Sequence, residues 1–81
     1  EGAMQELRER VLELLETTGL TQKEVIRRIN DQGLYKIQPA ELCKALKGEL
    51  TSPKANRAIA DAYSIVQRER LKMLRDEFRK S

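Results

Sequence analysis

Gln38, Ala40, Glu41 and Lys44 stand at or near the start of a short helix signal, on the side that its apolar residues leave free. Their chemistry matches base edges. A Gln amide pairs with adenine, a Lys ammonium with guanine and an Ala methyl with the thymine methyl, and a Glu carboxylate accepts from cytosine N4. Lys36, Lys47, Lys54 and Arg57 are candidate phosphate contacts, together with the N–H groups opening the next helix. The bland alternative for all of them is a solvated face with ordinary surface charges.

Other chemistries are poorly provided for. The chain has no histidine and one cysteine, Cys43, so an internal disulfide is impossible and Cys/His zinc is excluded for one chain. Cys43 reads as a small, half-buried residue. Glu6, Glu9, Glu13 and Glu16 have helical spacing but no His or Asp partner to complete a metal or acid–base set, so they read as a solvated face. There is no phosphate-binding Gly loop. An enzyme is not expected, nor is a cofactor or metal.

With 81 residues, the chain has room for one small domain and a thin margin of stability. Tyr35, Tyr63 and Phe78 are the only aromatic residues, so the core must be aliphatic. Residues 1–19 carry a net charge of −3, residues 20–57 +4 and residues 58–81 +2. The positive balance falls on the stretch around Gln38, which favours a polyanionic partner. No apolar run approaches the ~20 residues that span a membrane, and no signal peptide is visible, so a cytoplasmic location is the default. Residues 1–3 precede Met4, read as an expression remnant and are left out of the expected fold.

Four helices, with a possible fifth, must position the candidate residues. The first runs from about Met4 to Thr18, its apolar side set by Met4, Leu7, Val11, Leu14 and Leu15, with Leu12 flanking and Gly19 closing. The second opens on the Thr21–Glu24 capping box, turns Val25, Ile26 and Ile29 inward and ends near Asp31, with Gly33 closing. In the connector, Leu34 and Ile37 are expected to plug the core while Tyr35 and Lys36 project. The third helix opens at Gln38 or Pro39, buries Leu42, Ala45 and Leu46, and closes at Gly48. Leu50 is a further plug.

Ser52-Pro53 opens the last helix, and no Gly or Pro follows. Ala55, Ile59, Ala62, Tyr63 and Val66 share one face. Leu71, Leu74 and Phe78 share another, about a third of a turn away at 100° per residue. That second stripe must meet either a kinked return of the helix or a second copy of the chain, and it is the expected dimer contact.

Thr21-Gln22-Lys23-Glu24-Val25, then Ile37-Gln38-Pro39-Ala40-Glu41-Leu42-Cys43-Lys44-Ala45-Leu46-Lys47-Gly48, then Ser52-Pro53 resemble the DNA-binding domain of the lambda repressor and Cro superfamily, including xenobiotic-response-element-type regulators. The resemblance covers about residues 5–66. It implies an all-α helix-turn-helix bundle over residues 4–66, with residues 67–81 as a helical extension. It also implies that Gln22 bonds a phosphate and that the Gln38 helix faces base edges. Three features depart from the family. Ile26 stands where a small Ala is usual, the connector at residues 31–36 is about six residues longer, and Glu49-Leu50-Thr51 lacks the usual basic residues.

Two functions fit this pattern. One is a sequence-specific DNA-binding transcriptional regulator of phage or bacterial type, acting as a homodimer on double-stranded DNA. The other is a helical protein-interaction module, such as an antirepressor or adaptor, with the same fold and no DNA binding.

Overall fold

All the regular structure in the computed structural model, which describes residues 2–80, is helical: α1 (Gly2–Thr18), α2 (Gln22–Asp31), α3 (Pro39–Leu46) and α4 (Pro53–Lys80). Glu1 and Ser81, at the ends of the expected remnant and extension, lie outside the described residues. Gly2 and Ala3 belong to α1, two residues ahead of the expected start.

Local chemistry sets the helix ends. Glu24 N–H donates to Thr21 Oγ1 at 3.1 Å, giving α2 its cap. The return arm expected from Glu24 goes elsewhere, because its carboxylate accepts from Arg27 and Arg28. Gln38 caps α3, with Pro39 at the first helical position. At the other end of α3, Gly48 N–H donates to Ala45 O at 3.1 Å and Glu49 N–H to Lys44 O at 2.9 Å. That pair of bonds needs a residue in the left-handed region, and Gly48 supplies it with φ 80. Ser52 Oγ accepts from Ala55 N–H at 3.2 Å and caps α4.

The core is aliphatic. Val11 and Leu14 of α1, Val25, Ile26 and Ile29 of α2, and Leu42, Ala45 and Leu46 of α3 close on α4, which gives Ala55, Ala58, Ile59, Ala62, Ile65 and Val66. Three of those six are alanines, so the other helices approach α4 closely. It packs against all three and is the spine of the bundle. Uninterrupted over 28 residues, α4 is about 42 Å long at 1.5 Å per residue, close to the molecule's 44 Å longest dimension. The kinked return of its C-terminal half does not occur. No helix among the described residues is long and apolar enough to cross a membrane.

The connector corrects one expectation. Ile37 is buried, but Leu34 is 65% exposed, whereas Tyr35 is half-buried and Lys36 exposed. The exposures run out, in, out, in, the order of side chains that alternate between two sides. Leu34 and Ile37, three positions apart, therefore fall on opposite sides and cannot both plug the core. Among the described residues no strand forms there.

Ile37→Ala is expected to destabilise the chain by about 2–5 kcal/mol in urea denaturation. Leu34→Ala is expected to stay within about 0.5 kcal/mol of the parent.

Candidate nucleic-acid interface

An eight-residue helix does not persist alone in water, so α3 has to be held by its neighbours. Its inner side is buried through Leu42, Ala45 and Leu46. Its outer side carries Ala40, Lys44 and Lys47 at helical spacing, all exposed, with Gln38 and Pro39 exposed at its start. Cys43 is half-buried, as its neighbours in sequence suggest.

Both ends of α3 are fixed from outside. At the start, Gln38 N–H donates to Glu41 Oε1 at 2.8 Å. Lys54 Nζ, from the first turn of α4, lies 3.3 Å from both Glu41 oxygens. The Gln38 N–H first, and Lys54 second, hold the Glu41 carboxyl below its ordinary pKa. At the far end, Arg8 Nε of α1 donates to Ala45 O at 3.0 Å, and its Nη1 to Gln5 Oε1 at 3.2 Å. Only 7% of Arg8 is exposed. A cation here faces the negative end of the α3 dipole, where it is favoured.

The connector into α3 is clamped twice. Asn30 Nδ2 donates to Ile37 O at 3.2 Å, and Ile37 N–H donates back to Asn30 Oδ1 at 2.9 Å. Tyr35 Oη donates to Asp61 Oδ2 of α4 at 2.5 Å. Arg57 lies 5.3 Å from the Tyr35 ring centre and 3.8 Å from Asp61. Burial first, then the bond to Asp61, pushes the Tyr35 hydroxyl pKa up, so Tyr35 remains a neutral donor.

These contacts divide the candidate cations. Lys54 and Arg57 each have a carboxylate partner, and Glu41 is already bonded. Lys36, Lys44 and Lys47 are exposed and have no ion-pair partner among the described residues. Gln22 is half-buried at the first position of α2. Arg27 and Arg28 both pair with Glu24, Arg27 also with Asp31, and Arg28 with Glu69 of α4. On the far part of α4, Leu71, Leu74 and Phe78 are 56%, 41% and 85% exposed.

Two positioning residues, Arg8 and Asn30, were not foreseen. Their signal was present: each is a polar residue in an apolar stripe, Arg8 between Met4 and Val11, and Asn30 four residues after Ile26. Compared with protein-family models, curated proteins and solved structures, the chain has no significant match.

Hydrogen bonds from Arg27 first, and from Arg28, lower the Glu24 carboxyl from 4.5 to about 2. A lowered folded pKa contributes stability above the unfolded value and loses it as pH falls through the folded one. In urea titrations, Glu24→Gln should therefore be less stable than the parent at pH 7. The gap should narrow below about pH 4.5 and close near pH 2.

Proposed function

We propose that this chain is a sequence-specific DNA-binding transcriptional regulator of phage or bacterial type, with α3 as its reading helix and two copies acting together. The observation that carries the reading is the outer side of α3: exposed along its length, presenting Lys44 and Lys47 with no ion-pair partner among the described residues, and braced at both ends. A helix that reads base edges must be rigid before it meets them, because ordering it on contact would subtract from affinity.

In this reading Gln38, Ala40 and Lys44 face base edges, and Lys36 and Lys47 meet phosphates without first leaving a partner. Lys54 and Arg57 join them by sharing their carboxylates, and Gln22 by its side-chain amide. Glu41 acts mainly on its own helix, keeping the first turn closed and Lys54 beside it. Such a short helix reads only a few base pairs, so a second copy supplies affinity and a symmetric site.

One observation favours the interaction module instead. Glu24, Glu41 and Asp61 draw Arg27, Arg28, Lys54 and Arg57 into pairs, which reduces the field available to a polyanion. Fluorescence anisotropy with a random duplex at ~50 mM salt separates the two readings, since a basic DNA binder shows weak nonspecific affinity there. A flat titration would reject the regulator.

On a selected duplex, Lys44→Ala should cost about 1–3 kcal/mol and relax the sequence preference. Lys47→Ala should weaken all duplexes alike and reduce the salt slope by about 1. Unchanged affinity in both variants would count against α3 as the reading helix.

A further inference from the structure

After Met73 every described residue of α4 is exposed, so the last two turns stand clear of the bundle. Leu71, Leu74 and Phe78 lie about 150° round the helix from its buried face, at 100° per residue. They look away from the body of their own chain. One edge of this stripe is basic: Arg68, Arg75 and Arg79 line an open groove with the three apolar side chains. None of these arginines has an acidic partner among the described residues; by the same 100° count Glu77 projects from about the opposite side, and Asp76 lies about 60° round from Arg79.

Two stripes laid antiparallel would bring Arg68 and Arg75 against the same edge of the other copy, and laid parallel would set Arg75 against Arg70 of the opposite edge, and like charges across an interface cost affinity. The chain holds a better complement. Glu6, Glu9, Glu13 and Glu16 are exposed along α1, about opposite its buried side, with Arg10 beside them and paired with Glu13. Leu12, 41% exposed, sits next to Glu9 and Glu16 on that helix. An apolar side chain between carboxylates matches an apolar stripe edged with guanidiniums.

We infer that the occupant of the α4 stripe is the α1 outer face of a second copy, and that the exchange is reciprocal. Each chain lays its α4 end on the other's α1, which gives a closed two-fold dimer in which the two unlike surfaces meet twice. This deepens the dimeric part of the reading above and says nothing of DNA. Leu71, Leu74 and Phe78 bury against Leu12 and the stems of the glutamates, while Arg68, Arg75 and Arg79 meet Glu9 and Glu16, Glu13 being already paired with Arg10.

The test is sedimentation equilibrium of the full chain at low salt, without DNA, on the parent, on Arg75→Glu/Arg79→Glu and on Glu9→Lys/Glu16→Lys. The first double variant has two acidic surfaces and the second has two basic ones. Each alone should dissociate roughly tenfold or more readily than the parent. An equimolar mixture of the two should recover the parent's association, because both of its contacts are again of opposite sign. Association of Glu9→Lys/Glu16→Lys equal to the parent's would overturn the inference in favour of stripe on stripe. A parent that stays monomeric to ~1 mM, where the binding free energy is only about 4 kcal/mol, would overturn it as well. Random-duplex anisotropy reports on the nucleic-acid reading separately, so the two can fail independently.

Discussion

The structure depends on α3 being held at both ends. Eight residues form too few internal hydrogen bonds to repay nucleation of a helix, so the helix exists only with its neighbours in place. Burial of Leu42, Ala45 and Leu46 fixes which side faces in, but apolar contacts have no direction and leave sliding and rotation weakly resisted. Direction comes from polar contacts. Arg8 reaches from α1 to the Ala45 carbonyl, and Lys54 reaches from α4 to the carboxylate closing the first turn. Two helices distant in sequence thus set the attitude of a third, and α3 is ordered only when the whole bundle is.

The same contacts decide which charges can act outward. A cation with a carboxylate beside it gains little from a phosphate, since one partner must be exchanged for another. Arg27, Arg28, Lys54 and Arg57 are in this position, and they link α2 to α4, α3 to α4 and turn to turn. Lys36, Lys44 and Lys47 stay uncommitted at the connector and along the outer side of α3. The formal charge of +4 over residues 20–57 already subtracts Glu24, Asp31 and Glu41, so the pairs change where positive charge is free more than how much there is. Its free part is concentrated at the connector and along the outer side of α3, with Lys23 exposed on α2.

Helices, caps and core were largely legible in the sequence because each follows from local spacing. Thr21, Gly33, Pro39, Gly48 and Ser52 mark ends at which a backbone group needs a partner or a residue needs an unusual φ, and those needs are met within a few positions. The connector was less legible. Its side-chain directions depend on whether the backbone alternates or winds, and the pattern Leu-Tyr-Lys-Ile allows both. Arg8 and Asn30 stand out as polar residues in apolar stripes, but their partners do not. Their partners, Ala45 O and the Ile37 backbone, are main-chain groups that every residue possesses, so no residue type announces them. Of the candidate site, exposure followed from the apolar pattern, whereas the division between paired and unpaired cations required contacts across 13 residues for Glu41 and Lys54 and 26 for Tyr35 and Asp61.

Seven residues, 32–38, separate α2 from α3. Length alone would leave α3 on a loose tether. Asn30 removes that freedom by bonding both the N–H and the carbonyl of Ile37, and Tyr35 ties the same segment to Asp61 on α4. The amide clamp and the anchored phenol together let a long connector present α3 in a fixed attitude.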